Sequence, residues 1–291
     1  MNAVVDAKAR GRSPILDETI AAVTDILAGE LSTIAVERAV VGLFFSGVKL
    51  TTGEAGACAT PRDAVPGDIC CPLSGPVVPF AGRLKGAAAA ALMRDAASPD
   101  GMRRAIGIAT LNALAERSWT RRPHPGVTLL PATDAFDAAA IRPGEQVVLV
   151  GAFIPFLKEL KRCGQPYLVL ERNPALLKPA EMPFYRPADS AAEIVPKADV
   201  LLITGATLLN DTLEDLLALA RPEARVTVLG PTVGMRPDAF LARGADILGT
   251  VRIAAPDAFL DLLAEGGAAP QFLGRSAEKI VLARRPATDR A

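Results

Sequence analysis

Cys58, Cys70 and Cys71 fall within one proline- and glycine-rich stretch, Gly53 to Gly82. Thiolates are soft donors suited to zinc, copper and related ions, which makes these three the candidate metal ligands. Their spacing, C-x11-C-C, matches no C-x2-C knuckle, and the competing reading is cysteine packed as a small hydrophobe. His124 is the single histidine and stands between Pro123 and Pro125 in what reads as an exposed linker. A Ser/His/Asp or Cys/His engine would need that ring to reach a cleft from outside. The sequence contains no G-x-S-x-G, P-loop or H-E-x-x-H. The cofactor implied by the thiols is a transition metal ion of unassigned identity.

A second set of candidates stands where apolar runs give way to Gly, Pro and short polar residues: 151–155, 171–174, 204–210 and 230–232. Glycine lets a ligand approach the backbone, and Thr, Asn and Glu supply donors and acceptors. Within these segments the candidate ligand-binding residues are Gly151, Glu171, Gly205, Thr207, Asn210, Pro231 and Thr232. Glycine and proline also punctuate ordinary strand–helix junctions, and Asn210 could simply help to cap the next helix. The first junction lacks G-x-G-x-x-G, so no pyrophosphate cradle is provided. Glu171 nevertheless lies about where a ribose-binding acid sits in a dinucleotide fold, which keeps a nucleotide-like or S-adenosylmethionine-like ligand open. Its plainer reading is an ion pair with Arg172 or another nearby base.

The elements that must position these residues fall into two halves. Ser13-Pro14 opens a helix whose apolar residues recur from Ile15 to Leu27, with Gly29 as its stop. Val36 to Phe45 reads as a strand that Ser46-Gly47 turns into a second, Val48 to Thr52. Helices are expected over 84–97 and 101–117, and 118–126 reads as the interdomain linker. Strands and helices then alternate. Strands are expected at 146–150, 167–171, 199–204, 225–229 and 246–248, and helices at 154–162, 211–220, 237–243 and 256–265. Asp211 and Glu214 have the form of a capping box, and 282–291 reads as a frayed tail. Apolar strands alternating with helices predict an α/β fold, a Rossmann-like parallel sheet over 127–281, preceded by a smaller α+β domain over 13–118. In such a sheet ligands bind beyond the carboxyl ends of the strands, which selects the four junctions above.

The chain has 291 residues, 32 basic against 32 acidic side chains, and 4% aromatics. A balanced charge with few aromatics argues against nucleic acid and anionic membranes as partners. The polar first twelve residues show no signal peptide, and no apolar run approaches the length of a membrane helix. Four cysteines are too few for a disulfide scaffold, so a cytoplasmic setting is expected. An alanine-rich helix and zero net charge are compatible with a homodimer.

The runs ADVLLITGATLLNDTLEDLLALA (198–220) and VTVLGPTVGMRPDAFLARGADILG (226–249) resemble the family of putative heavy-metal-chelation domains. VVLVGAFIPF (147–156) and LVLERNP (168–174) are similar to its earlier strand ends, and VERAVVGLFFSGVKL, GEAGACAT and AIGIATLNAL to its companion domain. The resemblance implies an enolase-N-terminal-like first domain packed on the Rossmann-like second, with a ligand cleft between them. It adds Asn112, on the 101–117 helix, to the cleft lining beside Glu171, Thr207, Asn210 and Thr232. Three functions remain in competition. The first is a metal or metal-chelate binding protein. The second is a transferase or lyase acting on a small polar or nucleotide-like molecule in the same cleft. The third is a non-catalytic scaffold.

Overall fold

The computed structural model describes residues 13–62 and 80–285. Cys70, Cys71 and the end of the expected tail therefore lie outside the described residues. The Ser13 hydroxyl accepts from Leu16 N and starts α1 (Pro14–Ile26), which turns Ile15, Leu16 and Val23 inward.

Three strands follow, β1 (Val36–Val41), β2 (Phe45–Leu50) and β3 (Ala55–Ala59), paired antiparallel in that order. The first turn falls at 42–44 rather than at Ser46-Gly47; both of those residues lie within β2, opposite Val41 and Val40. Gly47 serves packing there: a Cβ on it would stand 2.7 Å from Leu260 Cδ2. β3 lies in the stretch expected to be loop, and its small residues let the main helix of this half come close.

That half is completed by α2 (Ala89–Arg94) and α3 (Gly101–Arg121). Asp100 caps α3 by accepting from Met102 N and Arg103 N at 3.0 and 2.9 Å. The helix continues past Arg117 into the stretch read as linker, because Ser118 is buried and Trp119 packs against the core. His124 is half-buried, its Nδ1 accepting from Gly126 N and its Nε2 3.3 Å from Asp238.

The larger sheet contains β4 (Val127–Pro131), β5 (Val147–Val150), β6 (Tyr167–Glu171), β7 (Tyr185–Pro187), β8 (Val200–Thr204), β9 (Arg225–Leu229), β10 (Ile247–Ile253) and β11 (Ala277–Arg284). Their order is β4-β11-β10-β9-β8-β5-β6-β7, parallel from β10 through β7 and antiparallel where β11 pairs with β10 and β4. The strand expected over 246–248 runs on to Ile253, because β11 pairs with it along its whole length. The connecting helices are α4 (Ala135–Ala138), α5 (Ile154–Arg162), α6 (Ala191–Ile194), α7 (Leu213–Leu219), α8 (Asp238–Ala242), α9 (Pro256–Ala264) and α10 (Ala269–Phe272).

Alternation along the central strands splits their side chains between two apolar faces, as a sheet covered on both sides requires. Val147, Leu149, Val169, Val200 and Leu202 pack with Phe156, Leu157 and Leu160 of α5. Val148, Val150, Leu201, Ile203, Val226 and Val228 share one continuous cluster with Leu213 and Phe240, and also with Ile15, Leu16, Ile106 and Ile108 of α1 and α3. The two halves thus share a core. Among the described residues no helix is long and apolar enough to cross a membrane.

Candidate functional site

Strand order decides which predicted residues become neighbours. β6, β5, β8 and β9 lie side by side, so the junctions after Glu171, Val150, Thr204 and Leu229 form a row along the carboxyl edge of the sheet. From β5 the chain proceeds outward through β6 and β7; from β8 it proceeds the other way, through β9 and β10. The boundary between β5 and β8 is therefore the topological switch point, where a ligand crevice opens in folds of this kind.

At one end of the row the Glu171 carboxylate accepts three backbone N–H groups, from Ala152 at 2.8 Å, Arg172 at 2.7 Å and Asn173 at 2.9 Å. It binds the backbone of Arg172 rather than its guanidinium, and it ties the β5 junction to the end of β6. Gly151 follows β5 with φ +92°, and a Cβ on it would stand 2.7 Å from Thr204 Cγ2. Glycine is needed here both for its backbone angle and for the close approach of two junctions.

The β8 junction is a 3₁₀ turn, Gly205–Leu208. Thr204 Oγ1 accepts from Ala206 N, and Thr207 Oγ1 donates to Thr204 O at 2.7 Å. Gly205 is buried against Val233 and Thr232, and Asn210 Oδ1 accepts from Thr212 Oγ1 at 2.6 Å. The capping box expected from Asp211 and Glu214 does not form. Asp211 adopts φ +55° and binds Arg104 Nη1 at 2.7 Å, while Glu214 accepts from Ser13 Oγ and Ile15 N of α1. Arg104 also donates to Leu209 O at 3.2 Å, and its side chain is only 6% exposed. The sequence reading missed this pair. An arginine immediately ahead of the apolar run of α3 (Arg103-Arg104 before Ala105) and an Asn-Asp dipeptide, which favours left-handed backbone, were the available signals.

At the other end Asn112, Pro231 and Thr232 come together. Asn112 Nδ2 donates to Ala57 O at 2.7 Å, Thr232 O at 3.0 Å and Pro231 O at 3.2 Å. Thr232 Oγ1 accepts from Ala59 N at 3.0 Å. Cys58 is wholly buried beside it, and burial pushes its thiol up to about 12 despite a hydrogen bond with Thr232. Among the described residues no three His, Cys, Asp or Glu gather as a metal-binding group. Where α3 meets the large sheet, a chamber of about 10 Å³ is lined by Gly56, Asn112, Glu116, Pro231, Gly234 and Arg252, among others. Glu171 and Asn210 do not line it.

Residues 134–282 match the DUF364 family and residues 24–115 the DUF4213 family, each described as "Putative heavy-metal chelation". An uncharacterised protein of Methanocaldococcus jannaschii is 28% identical over 181 residues. That match spans 61% of this chain and 65% of the relative, just under two thirds of the relative's length. The fold is similar to two solved DUF364 proteins of unknown function. The one from Pyrococcus horikoshii has a TM-score of 0.71 at 17% identity, and the one from Desulfitobacterium hafniense 0.70 at 19%; each comparison covers 92% of this chain and 99% of the other. With more than half its length matched, the chain belongs to the DUF364 family, the family described as putative heavy-metal chelation.

Proposed function

We propose that the protein binds a metal ion presented as a complex with a small organic chelator, at the carboxyl edge of the large sheet between the β5 and β8 junctions. The observation that carries this reading is the switch point itself, flanked by Gly151, Thr204, Gly205 and Asn210, with Glu171 beside it and α3 closing the far end. The family description supports the metal. The side chains of the row are hydroxyls, an amide and one carboxylate already bonded to three N–H groups. Such groups hydrogen-bond an organic ligand and complete a partly filled coordination shell with oxygen; they do not make a soft cage for a bare ion. Thr207, Pro231 and Thr232 shape the crevice walls in this reading, and Asn112 holds one of them in place.

Calorimetric titration and thermal melting test the proposal, with Ni²⁺, Co²⁺ and Zn²⁺ offered alone and each with equimolar citrate or histidine. A complex present at a hundredfold its Kd adds about 2.7 kcal/mol of stability, or several degrees of melting temperature. Asn210→Ala should weaken the complex with little change in the melting of the unliganded protein. Stabilisation by nucleotides or S-adenosylmethionine, with no response to any metal-containing member, would instead support a transferase or lyase.

A further inference from the structure

Beside the chamber under α3, two buried polar atoms stand without hydrogen-bond partners, Asn112 Oδ1 and Thr250 Oγ1, on residues 3% and 5% exposed. The orientation of the Asn112 amide is set by its other end. Its Nδ2 faces three carbonyl oxygens, and a flipped amide would bring oxygen against oxygen at all three. Oδ1 is therefore an acceptor requiring a donor. Gly234 marks the place: a methyl built on it would stand 3.4 Å from Thr250 Oγ1, 3.5 Å from Asn112 Cγ and 3.5 Å from Pro231 O. A glycine thus keeps open a spot between the Thr250 hydroxyl, the Pro231 carbonyl and the Asn112 amide.

We infer that this spot binds one neutral water molecule, which donates to Asn112 Oδ1 and exchanges a hydrogen bond with Thr250 Oγ1, joining α3 to β10 and to the 231–234 turn. The adjoining chamber, which Asn112, Pro231 and Gly234 line, has a volume of about 10 Å³, the lower limit for holding one water, and such a water needs two to four polar partners. Three oxygens are too few for a hard cation, which takes about six. The nearby carboxylate, Glu116, is already paired with Arg252 at 2.8 Å, so no free negative charge favours an ion. The inference is independent of the proposed chelate site.

Gly234→Ala tests it by sign. Gly234 has φ −71°, so alanine adopts the backbone without strain, and its methyl meets only ordinary contacts. In a dry chamber the substitution would raise the melting temperature, because alanine restricts the unfolded chain. In a hydrated one the methyl expels the water and leaves the Asn112 Oδ1 acceptor and the Thr250 hydroxyl unbonded. The expected result is a melting temperature lower by about 3 °C or more, with a smaller drop when the same change is made in a Thr250→Val background. A crystal structure near 1.5 Å, from crystals soaked in Rb⁺, supplies the second measurement should the variant not fold. It should show one peak without anomalous signal about 2.6–3.2 Å from both orphan atoms. A raised melting temperature, no peak, or an anomalous Rb⁺ peak would each overturn the assignment.

Discussion

Replacing Asn112 by Asp preserves the shape of the side chain and reverses what it offers. The Nδ2 that donates to the carbonyls of Ala57, Pro231 and Thr232 becomes an oxygen facing three other oxygens, on a residue 3% exposed. Desolvation and the three carbonyl dipoles both disfavour the carboxylate, so in the folded state this Asp holds its proton well above the ordinary value of about 3.9. The folded protein then binds more protons than the unfolded chain, and stability falls as pH rises from about 4 until the folded group ionises. Each pH unit in that window costs about 1.4 kcal/mol. A rise of about three units, within reach of a buried carboxyl, makes the loss about 4 kcal/mol by pH 7.

Asn112→Ala supplies the control. It removes the donors without adding charge, and at about 1 kcal/mol per lost hydrogen bond plus the unbonded carbonyls it should cost about 2–4 kcal/mol at every pH. Urea unfolding of both variants and the wild type between pH 4.5 and 7.5 gives the two difference curves. The gap for Asn112→Asp should widen steadily with pH while that for Asn112→Ala stays level. A level or narrowing gap for the Asp variant would mean that the amide does not face the three carbonyls, and the joint between the two halves would have to be rebuilt.

Three further outcomes follow from the geometry. Gly56→Ala places a methyl 2.2 Å from Ala109 O and 2.4 Å from Ala113 N, both helix backbone, so it should cost at least about 3 kcal/mol in urea unfolding; a near-neutral variant would show that β3 and α3 are not in contact. Native protein treated with iodoacetamide at pH 8 should yield an unmodified Cys58 peptide and an alkylated Cys163 peptide, since one thiol is buried with its pKa pushed to about 12 and the other is exposed; equal labelling contradicts this. The Glu145 carboxyl is held at about 2 by hydrogen bonds from Arg225, a contribution fully present above the ordinary value of 4.5 and lost as pH falls towards 2. The stability gap between Glu145→Gln and wild type should therefore be widest near neutral pH and close in that acid window.

Where the periodic pattern is strong and a Gly or Pro follows within a few residues, sequence and structure agree residue by residue: α5, β6 and β9 fall where the pattern places them. β3 was illegible because Ala-Gly-Ala-Cys-Ala has no β-branched or aromatic residue; pairing with β2 and the approach of α3 make it a strand. β11 escaped because its partners β10 and β4 lie far earlier in the chain, and those two pairings are what keep residues 282–284 from fraying. The same limit governs the site. A rule about strand ends picks out Gly151, Glu171, Thr204 and Pro231 from sequence, since each follows an apolar run. Nothing local to Arg104 or Asp211 says that they meet, since their pairing depends on how α3 lies across the sheet.

That crossing would give the proposed site its mechanical character. Arg104 and Asn112 are eight residues apart on α3, about two helical turns or 12 Å, and each reaches a different junction. Arg104 grips the β8 loop through Leu209 O and Asp211, and Asn112 grips the β9 turn through Pro231 O and Thr232 O. One rigid, capped helix therefore sets the separation of two neighbouring loops on the far side of the switch point. Across the boundary, Gly151 and Glu171 are held by the sheet itself, through the β5–β6 pairing and the Ala152 N–H bond to the Glu171 carboxylate. A ligand seated between β5 and β8 would touch one wall built by the large sheet alone and another positioned by the smaller half. Arg104→Met, a change on α3 that releases the back of the β8 loop and leaves Asp211 without its partner, should then weaken ligand binding more than an equally destabilising change in the core cluster around α5. Equal weakening by the two would mean that α3 contributes stability only, and that the crevice is shaped without it.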